Sequence, residues 1–331
     1  MEAIQKNGIR VDFRNALECY GEWEKPTVIV SDGAFGLHLF EGDPWTYPEL
    51  VDWYEPHIKK WSECARTDTT LWFWNTEIGW ATVHPLLVKH GWEYRGINTW
   101  NKTMAHIAGN CNTQRLRKFP VVTEVCAHYI KKNTVLVGDK NLELKAWLKH
   151  EWKRTGLPFR EANKACGVVD AATRKYLTQC HLWYFPPSEM FEKIAEYANA
   201  NGKPDGRPYF SFDGKTVVDG KTWEQMRAKF KCPMGTTNVW ELPANRGDER
   251  IKIDGKAAHA NQKPLKLIKQ IIEVSSDQGD VVWDPFGGLC TTAVACIATD
   301  RKCFTAEMDP LFFKPCQERL AGAFNRQCTL L

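Results

Sequence analysis

The segment Val281–Thr292, with the sequence VVWDPFGGLCTT, decides the fold class that we expect for this chain. Val281-Val282-Trp283 is a short apolar run of the kind that forms a buried parallel strand. Asp284-Pro285 and two glycines follow, and a pair of threonines then opens an apolar helical stretch. A strand, a glycine turn and a helix in this order enclose a nucleotide-like ligand at the end of a parallel sheet. The segment therefore predicts an α/β fold with a ligand site.

The residues around this turn indicate the kind of ligand. Gly287 and Gly288 carry no Cβ, so a ligand can lie close to the backbone. A second apolar run, Cys303–Ala306, ends in Glu307, and a carboxylate about 20 residues beyond the strand suits a ribose diol. The segment lacks the Lys-Ser/Thr of a P-loop and the complete G-x-G-x-x-G of a dinucleotide site. We therefore expect S-adenosylmethionine (AdoMet), a cofactor with adenosine but no phosphate. A glycine turn in another α/β protein is the alternative.

The composition is that of an ordinary globular protein. The chain has 331 residues, of which 43% are hydrophobic and 25% charged, enough to bury a large core and to form two domains. It has no run of 18 apolar residues, and its first residues, MEAIQKNGIRVDF, do not resemble a signal peptide. None of its twelve cysteines belongs to a C-x-x-C pair. We expect a cytoplasmic protein with reduced thiols, no metal site and no membrane segment.

An upstream segment carries a second candidate site. Thr27–Val30 is a β-branched run that predicts a buried strand, and it ends in Ser31-Asp32-Gly33-Ala34-Phe35-Gly36. An acid and an aromatic residue at the carboxyl end of a strand are placed for chemistry. On these residues alone, a plain turn after a strand is the simpler interpretation. Strands and helices alternate from here to about residue 138, which indicates an α/β sheet.

The middle of the chain differs in charge and pattern. Residues 139–235 carry 17 Lys and Arg against 12 Asp and Glu, whereas the formal net charge of the whole chain is +4. We predict two short helices, 160–166 and 170–178, around a glycine turn, as in a helix-turn-helix motif. The second helix offers candidate contacts to DNA, which are Thr173, Arg174 and Lys175. A helical hairpin, or a basic surface without a partner, explains the same residues.

The order of these motifs resembles that of the DNA amino-methyltransferases. A strand ends in acid-x-x-aromatic at Asp32–Phe35, and a basic segment follows. N-Q-K-P-L at Asn261–Leu265 then precedes D-P-F-G-G…T-T and the E-x-D of Glu307–Asp309. This is the order of the permuted subgroup, the β class, in which the catalytic loop precedes the AdoMet site. The resemblance covers roughly residues 8–138 and 236–322.

The resemblance implies a fold and a division of the chain. The fold is α/β, a Rossmann-like methyltransferase sheet of seven strands that is circularly permuted and carries an inserted, mostly helical target-recognition domain. Residues 1–138 would form the catalytic half of the methyltransferase domain. Residues 139–235 would form the DNA target-recognition insert, and residues 236–331 the AdoMet-binding half.

The resemblance also implies roles for single residues. The catalytic loop of the family, D-P-P-Y/F, corresponds to Asp32, Gly33, Ala34 and Phe35. Asp32 would orient the exocyclic amino group and Phe35 would stack on the flipped base. The residues implied in AdoMet binding are Asp284, Phe286, Gly287, Gly288 and Thr291 at the glycine turn, Glu307 at the ribose, Lys263 and Pro264 at the methionine end, and Asp12 near the adenine.

Two departures from the family pattern have predicted consequences. Gly33 and Ala34 replace two prolines, which predicts a less rigid catalytic loop. The usual G-[SA]-G-T-T is G-L-C-T-T here, beginning at Gly288. Cys290 therefore places a side chain where the family has hydrogen, which predicts weaker cofactor binding.

The resemblance implies site-specific methylation of double-stranded DNA with AdoMet as methyl donor. Asp32 as the first residue of the loop favours adenine N6, and cytosine N4 is the alternative. A DNA-binding protein without catalysis and an RNA or protein methyltransferase are further alternatives. Restriction-modification, the usual setting of the family, predicts a prokaryotic or phage-encoded protein with a cognate restriction endonuclease as functional partner. The chain would act as a monomer or homodimer.

Overall fold

The computed structural model describes residues 3–38, 40–103, 117–245, 249–253, 255–258 and 261–329. Its strands are β1 (Ile4–Lys6), β2 (Ile9–Asp12), β3 (Val28–Ser31), β4 (Thr70–Asn75), β5 (Trp92–Asn101), β6 (Thr123–Lys131), β7 (Thr134–Val137), β8 (Lys140–Glu143), β9 (Val239–Glu241), β10 (Lys252–Ile253), β11 (Lys256–Ala257), β12 (Val281–Asp284) and β13 (Lys302–Ala306). Its helices are α1 (Ala16–Cys19), α2 (Leu50–Cys64), α3 (Glu77–Lys89), α4 (Leu144–Arg154), α5 (Glu161–Ala165), α6 (Ala171–Tyr176), α7 (Ser188–Asn201), α8 (Gly220–Glu224), α9 (Leu265–Ser275), α10 (Thr291–Thr299) and α11 (Pro310–Thr329).

The chain divides into two units. The first, here called the sheet unit, consists of Met1–Lys131 and Ala228–Leu331, and the second, the helical unit, of Lys132–Arg227. The predicted division into three functional parts at residues 139 and 236 stays a prediction.

The sheet unit is built on one large, mostly parallel sheet. In the described part of the chain it has nine strands in the order β1-β2-β13-β12-β3-β4-β6-β5-β9. Neighbours from β2 to β4 pair in parallel, whereas β6 runs antiparallel to β4 and β5. The predicted α/β fold is confirmed. The sheet has two more strands than the seven predicted, because the three-residue strands β1 and β9 extend its edges.

The two segments that the sequence singled out form neighbouring strands at the centre of this sheet. β12 pairs with β3 in parallel, with Val282 opposite Val28. Both strands are buried along their whole length, since helices cover both faces of a parallel sheet and make its strands continuously apolar. Parallel strands end at the same edge, so Asp32 and Asp284 come to lie side by side.

The two helices predicted for the middle of the chain are shorter than expected. In the helical unit, α5 and α6 each lose residues at both ends relative to 160–166 and 170–178. Asp170 stands at the N-cap of α6, but its side chain makes no capping hydrogen bond there. Differences of one or two residues at a helix end are common between definitions of the boundary.

The helical unit has an aromatic core of its own. Trp147, Phe191 and Trp223 are fully buried, and the rings of Phe191 and Trp223 stack at 4.3 Å between centroids. The carboxylate of the buried Glu151 pairs with Arg154 and accepts a hydrogen bond from the backbone N–H of Phe210 at 3.0 Å. Because a buried charge is costly unless it is paired, this contact fixes the middle of the segment between α7 and α8.

The described residues show free thiols and neither a group of metal ligands nor a membrane-spanning helix. Ten cysteines with described side chains are free thiols, and most of them are buried. Nowhere in the same ranges do three His, Cys, Asp or Glu side chains form a group that could hold a metal ion. No helix in the described part of the chain is long and apolar enough to span a membrane.

Candidate active site

The glycine turn between β12 and α10 is closed by hydrogen bonds to the end of β13. The N–H of Gly287 donates to the carbonyl of Ala306 at 2.8 Å, and the N–H of Gly288 donates to Oε2 of Glu307 at 2.7 Å. A Cβ on Gly287 would lie 2.4 Å from Oγ1 of Thr305. Glycine is therefore required at 287 by close packing against β13.

Cys290 adopts the backbone conformation that glycine favours. Its φ is 58° and its ψ 34°, at the N-cap of α10, and its side chain is fully buried. A residue with a Cβ in this left-handed region costs roughly 1–2 kcal/mol. The backbone of the turn is therefore strained at Cys290, and the thiol is buried. The predicted loss of cofactor affinity stays a prediction.

Helix α11 supplies further support to the turn. Nη1 of Arg319 donates to the carbonyl of Leu289 at 2.7 Å and to Oγ1 of Thr291 at 2.9 Å. The thiol of Cys316 donates to the carbonyl of Gly288 at 3.0 Å. These contacts hold the carbonyl side of the turn, while Glu307 holds its N–H side.

Carboxylates gather on this part of the sheet. Burial, with a smaller contribution from the negative charges of Asp32 and Glu307, raises the pKa of Asp284 to about 7, against hydrogen bonds from Thr292 and the N–H of Phe286. Burial also raises the pKa of Glu307. A low-dielectric site with several acids favours a ligand that carries positive charge.

The catalytic loop predicted at residues 32–35 lies directly against the glycine turn. A Cβ on Gly33 would stand 2.7 Å from Cε2 of Phe286 and 2.9 Å from the hydroxyl of Tyr54. The Phe286 ring therefore packs against the bare backbone of Gly33. The structure thus brings the two predicted halves of the site together and gives a steric reason for glycine at 33.

Buried donors fix the next peptide group of this loop. The carbonyl of Ala34 accepts hydrogen bonds from the hydroxyl of Tyr54 at 3.0 Å and from Nδ2 of Asn75 at 2.8 Å. Tyr54 belongs to α2 and Asn75 ends β4, and both are fully buried. Two bonds to one buried carbonyl leave little freedom to this peptide.

Lys263 lies at Asp32, the predicted catalytic acid. Its Nζ is 2.7 Å from Oδ1 of Asp32 and 3.3 Å from Oε2 of Glu124, and Glu124 also pairs with Lys102. Burial opposes the charge of Lys263, but the two carboxylates outweigh it and raise its pKa. Burial raises the pKa of Asp32, and the positive charge of Lys263 opposes that shift. The predicted place of Lys263 at the methionine end of the cofactor stays a prediction.

The remaining predicted residues take the following places. Phe35 is buried, and Nζ of Lys263 lies 5.2 Å from its ring centroid. Pro264 is the N-cap residue of α9. The carbonyl of Asp12 accepts the N–H of Glu307 at 3.0 Å, and its carboxylate is engaged by Arg10 and Trp23. Asp12 thus lies beside the predicted ribose-binding acid.

The predicted DNA-contacting residues lie on α6 of the helical unit. Arg174 and Lys175 are exposed. Thr173 is half-buried, and its hydroxyl donates to the carbonyl of Phe159 at 2.7 Å. Nη1 of Arg174 stands 3.7 Å from Oδ2 of Asp170, a solvent-exposed pair of small energetic value. The structure therefore leaves the two basic side chains accessible and gives Thr173 an internal partner.

Five residues of this site did not stand out in the sequence. They are Asp43, Tyr54, Asn75, Glu124 and Arg319. Their neighbours in sequence carry no motif, and each reaches the site through tertiary pairing. For Tyr54, spacing on the apolar face of a helix was the available signal, and it indicates packing as readily as function.

Comparison with characterised sequences gives partial matches. The chain is 40% identical to DNA adenine methyltransferase YhdJ of Escherichia coli over 118 residues, which is 34% of this chain and 40% of that protein. It is 39% identical to Type II methyltransferase M.HinfI of Haemophilus influenzae over 112 residues, 34% of this chain and 28% of that protein. The chain thus spans well under half the length of either relative.

Comparison with solved structures shows the fold. The superposition with the M1.HpyAVI–SAM complex covers 94% of this chain and 98% of the M1.HpyAVI chain, with a TM-score of 0.53 and 15% identity. The cytosine-N4-specific PvuII DNA methyltransferase covers 98% of this chain and 96% of its own, with a TM-score of 0.53 and 13% identity. The family model described as DNA methylase, for N6 and N4 methyltransferases, matches residues 26–318. Because this match includes both predicted halves of the site and most of the chain, the protein belongs to the N6/N4 DNA methylase family.

Proposed function

We propose that the protein transfers a methyl group from AdoMet to the exocyclic amino group of a base in double-stranded DNA. The observation that carries this proposal is the contact between Gly33 and Phe286, since Gly33 follows Asp32, the residue that we propose as the catalytic acid, and Phe286 belongs to the glycine turn. Relatives named as DNA adenine and Type II methyltransferases support the reaction class. The name of a structural neighbour, a SAM complex, supports the cofactor.

The residues at the glycine turn fit AdoMet. The cofactor supplies a methyl group on a positively charged sulfonium. Asp284 and Glu307 are buried acids with raised pKa values, so a cationic ligand would stabilise their charged forms. Gly287 and Gly288 bring the backbone close to a ligand. In this proposal these four residues bind the cofactor, with Phe286 and Thr291 completing the turn.

Asp32 would orient the base. An exocyclic amino group is a weak nucleophile, because its lone pair is delocalised into the ring. Since Lys263 binds Oδ1 of Asp32, Oδ2 is the oxygen that would accept a hydrogen bond from the amino group. The Ala34 carbonyl already accepts two hydrogen bonds, so a second acceptor for the amino group would be the carbonyl of Asp32 or Gly33. Good positioning contributes roughly 7–11 kcal/mol to such reactions.

The base would have to leave the duplex to reach Asp32. Unstacking it costs a few kcal/mol, and an aromatic surface offsets part of that cost. Phe35 is the aromatic residue of the loop, with Lys263 beside its ring. Since Phe35 is buried, stacking requires that its opposite face be uncovered when DNA binds.

We propose adenine N6 as the acceptor. Asp32 follows β3 and its side chain is 19% exposed, whereas Ser31 lies within the strand and is fully buried. Asp32 is therefore the first polar side chain of the loop that a base could meet. The name of YhdJ, an adenine methyltransferase, points the same way. The PvuII enzyme, which is cytosine-N4-specific, keeps cytosine as the alternative.

The helical unit would bind DNA through Arg174 and Lys175. Both side chains are exposed, and phosphate contacts by such residues make affinity depend on salt. Replacing both by alanine should weaken DNA binding and lower the salt slope by about 2 in log–log form. Changing the exposed Lys193 and Lys221 of the same unit to alanine is the control. Unchanged affinity and slope in the Arg174/Lys175 variant would exclude this surface.

The setting follows from the family. Relatives named Type II methyltransferases suggest a restriction-modification system with a cognate endonuclease, in which the chain acts in the cytoplasm as a monomer or homodimer. Size measurement in solution tests the oligomeric state. The proposed partner is tested by a search for a nuclease that cleaves DNA only where this methylation is absent.

One experiment tests the whole proposal. The protein is incubated with AdoMet carrying a labelled methyl group and with unmethylated bacteriophage DNA, and the DNA is then digested to nucleosides. Label in N6-methyl-2′-deoxyadenosine is expected, and label in N4-methyl-2′-deoxycytidine would correct the base. DNA binding without label would identify a DNA-binding protein without catalysis. Label on RNA or protein substrates only would overturn the proposal.

A further inference from the structure

A carboxylate outside the proposed chemistry holds the loop that carries Asp32. Oδ1 of Asp43 accepts hydrogen bonds from the backbone N–H of Phe35 at 3.0 Å and of Gly36 at 2.9 Å. Oδ2 of Asp43 accepts another from the N–H of Leu37 at 3.3 Å. Asp43 itself is only 3% exposed. Hydrogen bonds to an ionised acceptor are roughly twice as strong as neutral ones, so three consecutive amides are tied to one point.

The backbone of the loop is shaped for this contact. Gly36 has a φ of 69°, and a Cβ there would lie 3.1 Å from the carbonyl of Thr46 and 3.2 Å from the side chain of Leu50. Glycine is thus needed for the turn that directs the three N–H groups to one carboxylate. The segment that carries Asp43 is closed in turn, since its own N–H donates to the carbonyl of Phe40 at 3.1 Å.

The opposite end of the loop is held as well. The Ala34 carbonyl accepts the two hydrogen bonds from Tyr54 and Asn75. Burial raises the pKa of Tyr54 well above its ordinary value, so its hydroxyl keeps the proton that it donates. The Ala34–Phe35 peptide is therefore fixed on the carbonyl side by Tyr54 and Asn75 and on the N–H side by Asp43.

We infer that Asp43, together with Tyr54, is a positioning residue that holds the catalytic loop in its working geometry. Hydrogen bonds from distant side chains would supply the rigidity that a proline pair supplies covalently. Proline at 33 is excluded here by the Phe286 ring, since even a Cβ would stand 2.7 Å from it. This inference rests on the proposed methyl transfer. It makes Asp43, which would touch neither base nor cofactor, responsible for the geometry of the catalytic loop.

Asp43→Asn tests the inference with little change of shape. The amide keeps one oxygen for Phe35 and Gly36 but turns an N–H₂ group toward the N–H of Leu37, which repels it. With saturating AdoMet and unmethylated bacteriophage DNA, we expect the single-turnover methylation rate to fall roughly 10- to 100-fold. The Kd for AdoMet, measured by titration calorimetry, should stay within about threefold, because the glycine turn is untouched.

Asp68→Asn is the matched control. Asp68 is also buried, at 4% exposed, and pairs with Arg66 at 2.9 Å, away from the loop. Its variant should lose thermal stability without loss of rate. If Asp43→Asn does not fold, Tyr54→Phe removes one donor to Ala34 and keeps the ring volume, and it should show the same separation of rate from cofactor affinity.

The outcomes are distinct. A rate for Asp43→Asn or Tyr54→Phe equal to that of Asp68→Asn would overturn the inference, as would an equal loss of rate and AdoMet affinity. Absence of methylation by the unmodified protein would instead contradict the proposed function. That result is read from the unmodified protein alone, so the two failures cannot be confused.

Discussion

The glycine turn and the catalytic loop both depart from their family pattern, but they absorb the departure in different ways. In the glycine turn, Cys290 takes up a strained left-handed conformation and its thiol is buried. In the catalytic loop, Gly33 is the residue that the neighbouring Phe286 ring permits. At Cys290 the backbone tolerates the departure by adopting a left-handed conformation. At Gly33 a different part of the chain, the Phe286 ring, requires the departure. A deviation from a motif therefore does not by itself indicate lost function.

The two loops are held by separate sets of side chains. Glu307 and Arg319 hold the glycine turn, and they come from the end of β13 and from α11. Asp43, Tyr54 and Asn75 hold the catalytic loop, and they come from a turn, a helix and a strand. Substitutions on each side should therefore affect cofactor affinity and methylation rate separately.

The largest effect is expected from Asp32→Ala. Loss of the group that orients the amino nitrogen should lower the methylation rate roughly 10²- to 10³-fold or more, while the Kd for AdoMet changes little. Transfer of labelled methyl groups and titration calorimetry measure the two quantities. Glu55→Gln, which alters an exposed carboxylate paired with Lys89, is the control. Full activity of Asp32→Ala would remove Asp32 from the mechanism.

Asp284→Asn should act on the cofactor side. Removing one charged partner of a ligand costs roughly 1.5–3 kcal/mol, which corresponds to about a 10- to 100-fold weaker Kd for AdoMet at pH 8. Because the pKa of Asp284 is raised to about 7, AdoMet affinity of the unmodified protein should rise from pH 6 to pH 8. In Asp284→Asn this rise should disappear. Affinity that falls toward pH 8 in the unmodified protein would contradict the assignment.

Asp284→Asn should weaken AdoMet binding but stabilise the ligand-free protein at alkaline pH. A carboxyl with a raised pKa stabilises the ligand-free fold below its ordinary pKa of 3.8, and this contribution is lost as the pH rises through about 7. Asp284→Asn should therefore raise the melting temperature clearly at pH 8 and change it little at pH 4. Thermal unfolding without AdoMet at both pH values measures this. A lower melting temperature at pH 8 would show that the charged form is already compensated.

Gly33→Ala breaks the contact between the two loops. Its Cβ would stand 2.7 Å from the Phe286 ring, and overpacking of this kind costs typically 1–3 kcal/mol. We expect a roughly 5- to 100-fold loss of methylation rate with a smaller loss of AdoMet affinity. Gly21→Ala, where a Cβ would meet nothing within 4 Å, is the control. Equal activity of the two variants would mean that the ring moves aside freely.

The smallest effect is expected from Cys290→Gly. Glycine relieves left-handed strain of roughly 1–2 kcal/mol but removes a buried side chain, and the two changes nearly cancel. The Kd for AdoMet should change by less than about threefold. Strong tightening would show that the native turn is compromised, as the sequence comparison predicted.

Much of this arrangement could be predicted from the sequence. The strand–turn–helix at 281–292 and the strand before Asp32 both follow from apolar runs that end in glycines and acids, and the structure places them as neighbours. The supports could not be predicted, because Asp43 and Arg319 carry no local signal and act only after the chain has folded. The position of Lys263 was recognised from its motif, but its partner Asp32 lies 231 residues away. The edge strand β1 was missed because three residues show no periodicity.

The pairing of β3 with β12 has a consequence for how the protein is made. Val28 cannot meet Val282 until about 250 intervening residues have left the ribosome. Until then β3 is an open edge with a fully apolar run, Val28–Val30, which is prone to pairing with other chains. We expect nascent chains that stop before β12 to need chaperones and to bind neither cofactor nor DNA base. A chain that ends before β12 therefore cannot carry out the proposed methyl transfer.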